Sequence, residues 1–183
     1  DACLAKLRRL GFDRAVILGD IVGYGADPEW TVDTVQALVA DGGLALYGNH
    51  DEAVLRAAQN DAASTKHPHA QAAIDWTRDR LDETRRAFLA ALPLSIEDED
   101  RLYVHANAWA PGEWSYISNP LAAAKSIAAT RQRITFCGHV HDPALYYSHP
   151  EGGARHFAPS PGVPMPLIDT RRWLALPGSV GQP

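Results

Sequence analysis

Arg133-Ile134-Thr135-Phe136-Cys137-Gly138-His139-Val140-His141 begins as a short strand and ends in a His-x-His pair. In extended backbone, residues two apart project to the same side. His139 and His141 are therefore expected to point together, about 7 Å apart at roughly 3.3 Å per residue. Such a spacing suits two imidazoles gripping two neighbouring cations, and neutral imidazole is the commonest protein metal ligand near pH 7. Taken alone, the pair describes a surface loop better than a ligand pair, so the fold turns on whether the same arrangement recurs.

It recurs three times. Ala15-Val16-Ile17-Leu18 runs into Gly19-Asp20, Leu44-Ala45-Leu46-Tyr47 into Gly48-Asn49-His50-Asp51, and Arg101 to Val104 into His105. Helical segments lie between these strands. Residues 2–10 carry Leu4, Leu7 and Leu10 at helical spacing with Gly11 as cap. Asp27 and Pro28 give an N-cap and first-position proline for a helix through Leu38, closed by Asp41-Gly42-Gly43. Glu52 to Leu92 predicts two or three helices, interrupted near Ser64 to His69, and Asn119-Pro120 opens one more to about Thr130. Leu94 to Ile96 is a further strand, joined to the next by the acidic turn Glu97 to Asp100. Strands alternating with helices predict an α/β chain with a largely parallel sheet, in which ligands bind beyond the carboxyl ends of the strands. Singly, Asp20 reads as a turn former, Asn49 as a left-handed turn residue and His105 as a hydrogen-bonded core histidine. Their coincidence at strand ends points to one shared site.

The 183 residues suit one domain with a real core, with no internal repeat and no clear linker. The apolar runs, such as Ala15 to Leu18, are too short to cross a bilayer, so a soluble, membrane-free protein is expected. A net charge of −5 argues against a basic nucleic-acid-binding face. It leaves a phosphate-bearing small substrate open, because bound cations would dominate the local field. Cys3 and Cys137 are too few for a disulfide framework, and both read as small apolar groups in the cytoplasm. On a strand, Cys137 faces away from the histidines and belongs to the core. The Gly/Pro-rich Pro150 to Pro166, with Pro159 to Pro166 as a surface loop, leads to two short apolar runs and Pro177-Gly178-Ser179-Val180-Gly181.

The ordered blocks Gly19-Asp20-Ile21-Val22-Gly23-Tyr24-Gly25, Gly48-Asn49-His50-Asp51, His105-Ala106 and Gly138-His139-Val140-His141 resemble the calcineurin-like metallophosphoesterase family. The resemblance covers nearly the whole chain and looks closest to a small bacterial phosphodiesterase-like group. It implies a metallo-dependent phosphatase-like β-sandwich flanked by helices. Residues 1–183 would form a single domain of that type, with the family's first strand and C-terminal strands expected outside the sequence. By resemblance, Asp20 bridges two divalent transition metals, Asn49, His105 and His139 complete one site, and His141 belongs to the other. Manganese is the first expectation, and the mixed nitrogen and oxygen donors also suit iron, nickel or zinc. Two cations about 3.5–4 Å apart clamp phosphoryl oxygens and acidify a shared water into hydroxide for in-line attack. His50, by resemblance, protonates the leaving oxygen. Asp51 either orients His50 or caps the following helix.

Two departures from the family pattern stand out. No Asp-x-His occurs in the sequence, and the opening helix looks like the one that follows that motif, so its expected place lies before residue 1. A natural loss would cripple the His141 site. Gly23-Tyr24 stands where the Ser/Thr phosphatases of the superfamily have Asp-Arg. This leaves the partner of His50 open and argues against a protein phosphatase with its regulatory subunit. The expected activity is hydrolysis of a phosphodiester or small phosphomonoester. The alternative is a non-catalytic scaffold, as in the retromer subunit on the same fold, against which the retained His50 speaks. Trp109, Trp114 and Tyr116, following His105, form a wall over the metals or simply pack. His67 and His69, flanking Pro68, read as solvated. Oligomeric state is open, a homo-oligomer included.

Overall fold

The structure is a computed structural model describing residues 2–56, 68–160 and 162–181. The chain is α/β and divides into two compact units, Asp1–Leu92 with Val180–Gln182 and Pro93–Ser179 with Pro183. Among the described residues no helix is long and apolar enough to cross a membrane.

The first unit opens with α1 (Ala2–Leu10). Gly11 ends it at φ 76°, its N–H bonding the Leu7 carbonyl at 2.9 Å, a left-handed cap that costs little without a Cβ. β1 (Val16–Ile17) and β2 (Leu44–Ala45) pair in parallel, Val16 opposite Leu44 and Ile17 opposite Ala45. Both are shorter than their apolar runs predict. Leu46 still donates to the Ile17 carbonyl at 3.0 Å, but Gly19 at φ 93° then turns the chain out of the ladder. α2 (Pro28–Ala40) connects the two strands. Pro28 occupies its first turn as expected, while the Asp27 side chain makes no cap bond. Among its described residues the long segment that follows holds three helices, α3 (Asn49–Leu55), α4 (Pro68–Arg80) and α5 (Glu83–Ala90). Asp82 caps the last by accepting the Arg85 N–H at 2.9 Å. His69 lies in the first turn of α4, and His67 lies outside the described residues. Val32, Val54, Ile74 and Leu89 close the core of this unit. Each such burial stabilises by roughly 1.5–3 kcal/mol.

The second unit carries a six-stranded sheet in the order β3-β4-β5-β8-β6-β7. Its strands are β3 (Ser95–Asp98), β4 (Arg101–Val104), β5 (Ile134–Cys137), β6 (Ala144–Ser148), β7 (Ala154–Phe157) and β8 (Trp173–Leu176). The sheet is mixed rather than largely parallel: β4, β5 and β8 run parallel, whereas β3, β6 and β7 pair antiparallel. The cause is local, since tight connections join only antiparallel strands. Glu99 at φ 54° turns β3 into β4, and Gly152 and Gly153 at φ 99° and 78° turn β6 into β7. β7 lies inside the Gly/Pro-rich segment 150–166, ahead of the expected surface loop. The described positions from Pro159 to Pro166 are exposed except Met165, which packs against the Ile134, Leu145 and Trp173 cluster. α6 (Pro120–Ala128) starts where expected, with Asn119 accepting the Ala122 N–H at 2.9 Å, and buries Ala123 and Ile127 against the sheet core. Val104 pairs with Cys137 in the parallel β4-β5 ladder, so His105 and Gly138 leave the sheet at the same edge.

Candidate active site

In the first unit the parallel pairing of β1 and β2 brings the loop 19–25 and the turn 48–51 to one edge. Asp20 sits at φ 51°, a left-handed conformation that Asp tolerates better than most residues. Its carboxylate accepts the His50 backbone N–H at 2.8 Å. A Cβ at Gly48 would collide with the Asp20 amide nitrogen and carboxylate, so the missing side chain is what lets Asp20 lie there. Asn49 opens α3 beside it. Asp51, fully buried, uses both oxygens on backbone: Oδ1 accepts the N–H groups of Ile21 (2.9 Å) and Val22 (3.1 Å), and Oδ2 that of Gly48 (2.9 Å). It caps α3 and at the same time ties the loop after β1 to the turn after β2. His50 meets Tyr24: the hydroxyl lies 2.7 Å from Nε2, and the rings stack at 4.1 Å between centroids.

In the second unit His105 and His139 come together, both buried, with ring centroids 5.0 Å apart. His139 Nε2 lies 2.9 Å from the Trp114 carbonyl oxygen. A carbonyl only accepts, so the nitrogen facing it is the ring's N–H donor. Tyr116 stacks on the same imidazole at 3.9 Å, and Trp114 meets His105 edge-on at 5.7 Å. Trp114 presents its carbonyl by adopting φ 55° after the short 3₁₀ turn Pro111–Glu113. Asn107, fully buried, holds this loop from beneath. Its Oδ1 accepts from Ala110 N–H at 2.8 Å, and its Nδ2 donates to the Ser115 carbonyl at 3.1 Å. The aromatic segment is thus a wall packed on the histidine pair.

The extended geometry expected for His139 and His141 does not hold. β5 stops at Cys137, and His139 has φ 61°, so the chain turns between the two histidines and the alternation of a strand no longer applies. His141 is buttressed by the closing Pro177-Gly178-Ser179 segment. Its carbonyl accepts the Ser179 N–H at 3.2 Å, and a Cβ at Gly178 would come within 2.9 Å of that carbonyl oxygen. Cys137 is a core residue, as its place on the strand predicts, and burial pushes its thiol pKa up. Sequence reading missed the Trp114 carbonyl and the Asn107 clamp, because a main-chain acceptor and a buried amide leave no residue-type signature. The bond from Tyr24 to His50 fills the place that the Gly23-Tyr24 departure left open.

A Calcineurin-like phosphoesterase superfamily domain matches residues 1–183 in full. The chain belongs to this superfamily. An uncharacterized protein of Methanocaldococcus jannaschii is 30% identical over 187 residues, spanning 100% of this chain and 71% of that protein. Among solved structures, a metallophosphoesterase from Sphaerobacter thermophilus superposes with a TM-score of 0.80 at 32% identity, covering 100% of this chain and 72% of that one. A hypothetical protein from Pyrococcus horikoshii shares the fold, with a TM-score of 0.72 at 16% identity over 100% of this chain and 70% of its own. The calcineurin-like phosphoesterases are metal-dependent hydrolases of phosphoric esters, and this is the class in which the chain falls.

Proposed function

We propose that this calcineurin-like phosphoesterase hydrolyses phosphodiesters or small phosphomonoesters at a dinuclear metal centre, with His50 as the acid for the leaving oxygen. The observation that carries the reading is the contact of His139 with the Trp114 carbonyl. Its Nε2–H is committed to the Trp114 carbonyl at 2.9 Å, which leaves Nδ1 as a preset donor, the usual way a ligating imidazole is held. Asp20 contributes a hard oxygen, and His105 and His139 contribute imidazole nitrogen. Such a mixed set fits divalent manganese, iron, nickel or zinc, and Asn49 and His141 complete the donors we assign.

When bound, the cations supply Lewis-acid stabilisation of the phosphoryl oxygens and acidify the attacking water. The protein's own part is orientation. The His50 N–H aims the Asp20 carboxylate, Gly48 makes room for it, and Asp51 fixes the two loops that carry Asp20 and His50. His50 then gives a proton to the oxygen that departs from phosphorus, a contribution of typically 10²–10⁴-fold for a positioned acid. The substrate is a small phosphate ester in the cytoplasm, with no protein-phosphatase regulatory subunit as partner.

Hydrolysis of bis-p-nitrophenyl phosphate and p-nitrophenyl phosphate by the full-length protein with manganese, beside a His139→Ala control, tests this. Manganese-dependent turnover of at least one ester, lost in the control, is expected. No turnover of either ester with two metals bound sinks the reading.

A further inference from the structure

We infer that the open face of Tyr116 is the platform on which the organic group of the substrate rests, so that the site selects phosphate esters carrying a planar aromatic ring. The inference rests on the proposed phosphoesterase centre at His139 and deepens it by naming the substrate class.

Tyr116 is packed on one side only. Its ring lies on the His139 imidazole with 3.9 Å between centroids and 21° between planes. The imidazole beneath it is buried, yet Tyr116 itself remains 61% exposed. A ring stacked by one face and still that open presents its other face outward. Core packing therefore does not account for an aromatic residue here, and an aliphatic side chain would cover one imidazole face as well.

The backbone that carries the ring is fixed on both sides. Before it, the fully buried Asn107 donates from Nδ2 to the Ser115 carbonyl at 3.1 Å, and after it Ile117 is fully buried in the core of the second unit. A platform already held in place costs a ligand little further ordering. Tyrosine suits the task, since it offers a large, rigid contact area with few torsions to fix, and aromatic rings pair favourably in offset or tilted stacks. A phosphate ester held beside His139 carries its organic group one ester bond away from phosphorus, within reach of a ring that touches the same imidazole.

The experiment measures binding rather than turnover. Calorimetry on the full-length manganese-loaded protein compares phenylphosphonate with cyclohexylphosphonate, which matches its size without a π face, and with methylphosphonate, which carries the phosphoryl group almost alone. A nucleoside 5′-phosphonate in the same series separates a ring bonded at phosphorus from a base set off by its sugar. At least one ring-bearing ligand should bind about two- to tenfold tighter than cyclohexylphosphonate, the range expected for one aromatic pair, and whichever does so names the source of the ring. The preference should survive in Tyr116→Phe, which keeps the ring, and vanish in Tyr116→Leu, which keeps an apolar cover over His139. Methylphosphonate should bind all three proteins alike.

Equal binding of the aromatic and cyclohexyl ligands by the wild-type protein overturns the inference and leaves the phosphoesterase reading standing. So does a Tyr116→Leu variant that weakens methylphosphonate and phenylphosphonate by the same factor, because Tyr116 would then serve only to support His139. Failure of every phosphonate to bind the wild-type protein removes the phosphoryl site and the proposed function with it.

Discussion

Asp51 shows how much one buried carboxylate can organise. Its two oxygens satisfy three backbone N–H groups drawn from two loops. Replacing it by Ala strands those donors in an apolar setting, where an unsatisfied group costs about 1–3 kcal/mol. Asp51→Ala should therefore lower unfolding free energy by roughly 3 kcal/mol or more, read from urea melts. Asp51→Asn keeps one acceptor oxygen for Ile21 and Val22 and should cost clearly less. Equal melts for the two variants would show that the carboxylate is not the brace. The sequence left this residue between two readings, orienting His50 or capping α3. The cap is what its bonds describe, with a second duty toward residues 21 and 22 that sequence spacing cannot reveal, because the partners lie 29 and 30 positions away.

At the scale of elements, the loop from Asn107 to Tyr116 decides how His139 presents itself. Asn107 bridges Ala110 and Ser115 from a fully buried position, and Trp114 between them supplies the carbonyl to His139. Asn107→Ala should release that carbonyl. The expectation is a stability loss of about 2 kcal/mol from the orphaned backbone groups, together with weaker manganese binding by calorimetry, since outer-shell losses typically cost about 10–100-fold in metal affinity. Unchanged metal affinity would detach the loop from the metal centre.

Much at this scale was legible in the sequence. Pro28 and Asn119 at helix starts and Gly11 at a helix end are local signals, and the structure carries each of them, whereas β1 and β2 stop short of the polar residues that follow their apolar runs. The sheet's antiparallel members were not legible in the same way. β7 is exposed and bracketed by glycines and prolines, so it carries no apolar alternation, and the turn at His139 follows from a positive φ that a histidine does not advertise.

For the molecule as a whole, the Asp20–Asp51 cluster lies within the first compact unit and the His105–His139 pair within the second. Ionisation of a partly buried core-edge group should then report on global stability. Burial, with the nearby charges of Glu52 and Asp51, pushes the Tyr47 phenol from 10.0 up to about 12. The unfolded chain loses that proton first, so stability should be flat below pH 10 and fall as pH rises from 10 toward about 12. Thermal melts across that range, compared with Tyr47→Phe, check the sign: the variant should show a shallower alkaline decline, and a parallel decline would assign it to other groups.

Under the proposed function Asp20, His105 and His139 would hold a divalent cation, and manganese-edge anomalous diffraction from crystals of the manganese-soaked protein decides whether they do. An anomalous peak is expected at bonding distance from the Asp20 carboxylate and from Nδ1 of His139, with Nε2 of His139 still on the Trp114 carbonyl. A manganese peak elsewhere with none at these donors, or a His139 ring flipped to bind through Nε2, would contradict it.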